Sequence, residues 1–329
     1  MTVLAALLGM SACGARAEPP SAIHVSTYPA TPTVQASSAS APASLVALPS
    51  RPRDEAALEH EVDARLNARL DLSGAWTPMV DGASYLASED AVAEDGGVDV
   101  IVHFHGATVA DEEWRASAVA GLVVGVQLSG YGVAQYRDRF APPDRLGALV
   151  DDAVRRVGGT HLRRLGLVSW SAGYGAVQSV LSDPGYYAIV DTVVLLDGVH
   201  ASYQEGLPDE ASIAVFERFA RDAALGDKQL IVTHSSIAPH DYASTTETAT
   251  MLLLSAGAPR VVETRTNARG MVEWYHADEG GLHVRGFRGD GARDHLDQAH
   301  LLGDAVRTFI APRWTRWAIL DEEKSLIEL

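Results

Sequence analysis

Arg164-Leu-Gly-Leu-Val-Ser-Trp-Ser-Ala-Gly-Tyr-Gly-Ala-Val177 is the stretch on which the reading of the chain turns. Leu165 to Trp170 has the apolar run of a buried strand, and Gly173 to Val177 reads as a glycine-rich entry into a helix. Ser171 stands between them, within Ser169-x-Ser171-x-Gly173. This is a near match to G-x-S-x-G, which holds a serine proud on a tight strand-to-helix turn, although a serine replaces the first glycine. The positions two before and two after must be small because strand and helix backbones come close there. Ser171 is therefore a candidate nucleophile. The competing reading is an ordinary turn whose serine caps the helix.

Composition bounds what surrounds this turn. The chain has 329 residues, 47% hydrophobic and 21% charged, which suits one large or two small domains with an ample core. A formal net charge of -17 argues against nucleic acid or an anionic membrane surface as a partner.

Cys13 is the one cysteine, so no intrachain disulfide is possible. It follows a short apolar run, Val3 to Met10, and the small residues Ser11-Ala12. This segment, residues 1–13, resembles a bacterial lipoprotein signal, in which the cysteine is lipidated and becomes the mature N-terminus. No Lys or Arg precedes the run, and Met10 stands where leucine is usual. The run is too short to span a bilayer as a mature helix. An exported protein of the bacterial envelope is implied, touching membrane only through an N-terminal lipid; a secretory signal cleaved without lipid is the alternative. Residues 14–53 are rich in Ala, Pro, Ser and Thr and read as a disordered tether. Residues 54–329 then form the folded domain.

Within that domain, Leu58, Val62, Leu66 and Leu70 mark an amphipathic edge helix. Strands are expected at 98–104, 121–128, 165–170, 189–196, 229–233 and 260–264, with a hairpin of 271–276 and 282–287 around Gly280-Gly281. Helices are expected after Asp144, from the elbow to Ser182, over 208–225, over 245–256 behind the capping box Ser244-Thr-Thr-Glu247, and over 296–310 with Pro312 ending it. The alternation predicts an α/β fold, a mostly parallel sheet with helices on both faces. Functional groups then gather at the carboxyl ends of the strands. His105-Gly106, Ser171, Asp197 and the loop before Leu296 all fall there.

With these residues in place, residues 95–311 resemble the α/β-hydrolase superfamily, by element order and three local motifs. That family orders its catalytic residues as nucleophile, acid, histidine, which implies Ser171, Asp197 and His295. The resemblance puts the base in the loop between the last strand and the last helix, here Gly289 to His295; His300, inside the following helix, is the alternative. Asp197 ends the strand after the nucleophile helix and is preferred as the acid over Asp241, since the next strand ends in His234-Ser-Ser236 without a carboxylate. An oxyanion hole is implied from the N–H groups of Ala172 and Ala107, the latter carried by the loop His105-Gly106-Ala107. The expected substrate is a small molecule with an acyl group, and the reaction is acyl transfer to water through an acyl-Ser171 intermediate.

Two rival readings remain at this level. His103-x-His105 lies on a strand with both side chains expected on one face, the start of a metal site for a metal-dependent hydrolase with His234, His240, His295 or His300. The alternative to both is a non-catalytic envelope module on the same fold. Gly173-x-Gly175 and Gly130-x-Gly132 lack the context of a dinucleotide site, so no cofactor is expected.

Overall fold

The computed structural model describes residues 55–68, 74–117, 119–130 and 132–327. The expected signal segment with Cys13 and the tether 14–53 lie outside the described residues, as does Leu70. In chain order the strands are β1 (Thr77–Pro78), β2 (Ala83–Ala87), β3 (Gly97–Phe104), β4 (Leu122–Val126), β5 (His161–Trp170), β6 (Val190–Leu196), β7 (Tyr203–Gln204), β8 (Leu207–Pro208), β9 (Gln229–His234), β10 (Arg265–Thr266), β11 (Val272–Glu279) and β12 (Leu282–Phe287).

β7 and β8 pair only with each other, and the rest form a ten-stranded sheet in the order β1-β2-β4-β3-β5-β6-β9-β12-β11-β10. Its middle, from β4 through β12, is parallel throughout. The edges β1-β2 and β11-β10 are antiparallel. Alternate residues of the central strands serve two cores. Val100, Val102, Leu165, Leu167, Val193 and Leu195 face one side, with Tyr136, Val177, Phe216 and Leu252 from the covering helices. Ile101, Val123, Val168 and Val194 face the other, with Trp114, Leu302, Val306 and Trp314. Strands apolar on both faces must be covered on both faces, which is why the sheet is parallel and sandwiched. This is the α/β class expected from the sequence.

The local differences have physical causes. The edge strands β1 and β2 carry a weak pattern and were absent from the sequence reading. Arg260 to Thr264 is not a strand: Val261 makes one bridge to His276, and the pairing begins at Arg265. The helix expected from Pro208 starts at Ala214, after β8 and a short turn capped by Asp209. Pro184 opens a new helix, Pro184–Ile189, because proline fits a first turn whose N–H needs no partner. Pro312 likewise does not stop the last helix. A π-turn at Val306–Ile310 precedes it, and the helix Ala311–Ile327 starts with proline in its first turn, where no N–H is missed. That helix packs Ile319 on Leu58 and Val62 of the edge helix Glu55–Ala68.

At the amino ends of the strands Asp99 is buried and doubly paired. Arg163 meets it in a fork at 2.8 and 2.7 Å, and the buried Arg164 bonds it at 3.2 and 3.0 Å while reaching Asp321 of the last helix at 2.5 Å. Removing one partner of such a group leaves an uncompensated buried charge, at a cost of about 3 kcal/mol. Asp99→Ala is therefore expected to lower the denaturant midpoint by that order, whereas Asp152→Ala, which breaks an exposed helical pair with Arg156, should leave it nearly unchanged.

Wholly buried histidines set the pH response. Burial pushes His103 down to about 3 from 6.5, and burial also lowers His234. The unfolded chain then binds protons that the folded chain does not, so stability falls as pH drops from about 6.5 towards 3. A denaturant midpoint lower at pH 5 than at pH 7 is the expected result.

Candidate active site

The site is built where β5 ends. Ser171 has φ 51°, a left-handed backbone that side chains other than glycine rarely adopt. The short turn Ser171–Gly173 leads from β5 into the helix Tyr174–Ser182. Two glycines allow the close approach. A Cβ on Gly173 would lie 2.0 Å from the Phe104 carbonyl oxygen, and one on Gly198 would lie 2.5 Å from the Ser171 oxygen. The turn is thus wedged between the end of β3 and the residue after Asp197.

Asp197 also has a positive φ, 46°, which turns its carboxylate off the end of β6. It is 2% exposed. Oδ1 accepts from Ser235 N at 2.9 Å, Ser235 Oγ at 3.0 Å and Thr245 Oγ1 at 2.8 Å. Oδ2 meets His295 Nδ1 at 2.8 Å. Burial opposes ionisation, but the His295 bond and charge together with the Ser235 donors outweigh it and hold the carboxyl below its usual range. A carboxylate only accepts, so His295 Nδ1 carries the proton and Nε2 is left basic.

His295 lies in the first turn of the helix Ala292–Ala299, not in the loop before it. The helix starts earlier than expected because Asp294 accepts from Gly291 N at 2.9 Å and fixes its first turn. Trp170 holds the ring from one side: the two rings stack at 4.9 Å and 28°, and Trp170 Nε1 donates to the His295 carbonyl at 2.9 Å. Ser171 is bracketed accordingly, with its predecessor on His295 and its backbone against the successor of Asp197. No hydrogen bond joins Ser171 Oγ to the imidazole in the structure.

The alternates are placed elsewhere. His300 caps the end of the same helix, and its Nδ1 meets the buried Glu113 at 2.8 Å, with Arg269 on the same carboxylate oxygen. Asp241 is exposed in a loop, and the imidazole of His295 is taken by Asp197. The two histidines of His103-x-His105 do not both lie on the strand, and they meet different partners. β3 ends at Phe104, and His105 turns away with φ 63°. His103 Nδ1 accepts from Trp114 Nε1 at 3.0 Å, and its Nε2 is buried. His105 stacks on Trp170 at 5.3 Å and meets Tyr136 and Gln127 through Nδ1. Burial, and then the charge of His295, push it down to about 4. Among the described residues no cluster of three or more His, Cys, Asp or Glu is arranged to hold a metal.

Gly106 N is spent on Gln127 Oε1 at 3.1 Å, which anchors the loop after β3. Ala107 N has no backbone acceptor among the described residues, and Ala172 N belongs to the first turn after the strand, where helical N–H groups lack partners. Ser235, Thr245 and Gln127 were not read as site residues from the sequence, and Trp170, which flanks the nucleophile, was weighed as a pocket wall but preferred as apolar packing. Of the first three, Thr245 had a signal, its place directly after the capping residue Ser244. That box forms as expected, Ser244 accepting from Glu247 N at 3.2 Å, and it sets the helix whose first residue reaches Asp197.

No family model matches the chain, and no curated protein sequence matches it. Solved structures do. A siderophore hydrolase, EstB, from Aspergillus nidulans is 15% identical, with 72% of this chain and 96% of that one covered at a TM-score of 0.42. A loop variant of a haloalkane dehalogenase from Bradyrhizobium elkanii is 12% identical, with 78% and 100% covered at 0.40. The carboxylesterase CesB from Bacillus subtilis is 13% identical, with 78% and 97% covered at 0.35. At such low identities and TM-scores none of them assigns an activity or a residue role to this chain.

Proposed function

We propose that the protein is a serine hydrolase of the α/β-hydrolase type acting on acyl esters or related acyl compounds, with Ser171 as nucleophile, His295 as base and Asp197 as its orienting carboxylate. The observation that carries this reading is the buried Asp197 to His295 bond of 2.8 Å beside a serine in left-handed backbone at a strand end. A structural turn has no use for that combination; a nucleophile needs both parts.

The chemistry follows from the groups. His295 Nε2 takes the proton of Ser171 Oγ as the oxygen attacks the carbonyl carbon, and the tetrahedral oxyanion is held by the N–H groups of Ala107 and Ala172. Collapse expels the alcohol, which leaves with the proton from His295. Water then attacks the acyl-serine with His295 again as base, and the acid departs. Closure of the Ser171 to His295 hydrogen bond belongs to the substrate complex, where such bonds tighten. Asp197 stabilises the imidazolium formed in both steps without taking its proton.

We also retain the reading of residues 1–13 as a lipoprotein signal, with the folded part held at the envelope membrane by lipid on Cys13. Among the described residues no helix is long and apolar enough to cross a membrane.

Assayed on p-nitrophenyl esters of graded chain length, Ser171→Ala is expected to lose hydrolysis by roughly ten-thousand-fold or more and to lose labelling by a fluorophosphonate. His295→Ala should be as severe, because the groups act as a unit, whereas His300→Ala should be milder. Full labelling of Ser171→Ala would overturn the reading, because the reactive nucleophile would then be another residue. Expressed from its first residue in a bacterial host, the wild-type chain should fractionate with detergent-extracted membranes, and Cys13→Ser should release it or block its processing.

A further inference from the structure

The loop after β6 carries a second imidazole that the proposed chemistry does not use. His200 lies three residues past Asp197, and its ring packs edge-on against Tyr174, three residues past Ser171, at 6.0 Å. Tyr242 closes on its other side at 4.7 Å. The loop is clasped to the segment before the helix Thr245–Ala256: His200 Nδ1 meets the Ala243 carbonyl at 2.9 Å, Ala243 N donates to Ala201 O at 2.9 Å, and Thr248 Oγ1 donates to Val199 O at 2.8 Å. His200 is therefore as fixed as Asp197, which the same helix also grips.

The clasp determines the tautomer. A carbonyl oxygen only accepts, so Nδ1 carries the proton and Nε2 presents a lone pair. Nε2 has no partner among the described residues and is not among the buried unpartnered atoms, so it reaches solvent, and the charges of both Asp197 and His295 act on the ring, which sets it beside that pair. Burial lowers the His200 pKa against the pull of the Ala243 carbonyl and Asp197, and His295 adds to the lowering, so the ring stays neutral near neutral pH. A rigid, neutral hydrogen-bond acceptor thus sits over the first turn of the elbow helix, between two tyrosine rings.

We propose that His200 is a specificity-determining residue whose Nε2 accepts a hydrogen bond from a hydroxyl or N–H on the acyl group, so that preferred substrates are esters of acids carrying such a donor near the scissile carbonyl. The proposal rests on Ser171 and His295 being the reacting pair. It deepens that reading by naming a substrate class: an acyl chain without the donor leaves Nε2 unpaired in the closed complex, and one that offers only an ether oxygen sets two lone pairs against each other.

The test compares kcat/KM for the p-nitrophenyl esters of 3-hydroxybutanoic, 3-methoxybutanoic and butanoic acids, each normalised to its rate with hydroxide. Wild-type protein is expected to favour the hydroxy ester over the methoxy ester by about tenfold. His200→Phe keeps a ring between the tyrosines but loses both nitrogens, and His200→Asn keeps a donor for the Ala243 carbonyl but has no atom at Nε2. The ratio should fall to near one in both. Turnover of the esters with no preference in the wild type, or with the preference intact in His200→Asn, overturns the proposal while sparing the hydrolase. Hydrolysis of none of the three by the wild type, with no fluorophosphonate label on it, removes the hydrolase reading and this inference with it.

Discussion

A carboxylate as deeply buried as Asp197 is stable only where hydrogen bonds replace its water, and the arrangement of the site follows from how that is done. Three donors, two from Ser235 and one from Thr245, occupy one oxygen; the other is left for the imidazole of His295. Because Thr245 opens a capped helix and Ser235 follows β9, the carboxylate joins β6, β9 and the helix Thr245–Ala256 at one point. Its left-handed backbone and the glycine behind it bring the same point against Ser171. Remove the carboxylate and the imidazole loses its fixed tautomer while three donors lose their acceptor, so positioning and packing fail together.

The sheet explains why strained residues can persist there. Ser171, Asp197 and His105 all hold positive φ at the carboxyl ends of neighbouring parallel strands. Each costs of order 1–3 kcal/mol in isolation. The surrounding core over-determines them: Trp170 is stacked between His105 and His295, with the indole N–H bonded to the backbone of the latter. On the proposed function, strain concentrated at strand ends, supported by apolar strands behind, serves to preorganise the site.

Much of this was legible in the sequence, and what was not has a physical reason. The apolar runs of β3, β5, β6 and β9 announced a parallel sheet because both faces are buried, and Ser244-Thr-Thr-Glu247 announced its helix because a capping box is a local interaction. Asp197, His295 and Ser171 were named from their places at strand ends and from the resemblance. The structure sets Asp197, and not the exposed Asp241, against His295. The expected loop at His295 failed because a side chain three residues into a helix, Asp294, can cap it without a polar capping residue. The alternation expected for His103 and His105 does not extend to the second residue, because β3 stops at Phe104 and His105 takes a positive φ, and the two rings meet different partners. Contacts such as Trp170 on His295, 125 residues apart, have no sequence signature at all.

The measurement that tests the central claim most directly is an acid-quenched acyl trap. The wild-type protein is mixed with a short-chain p-nitrophenyl ester, quenched at low pH within the first turnover, digested and mapped by mass. The account predicts one acyl adduct, on the peptide that contains Ser171. Turnover of the ester with the adduct on another residue, or with no adduct on Ser171 under conditions where deacylation is slow, would contradict it.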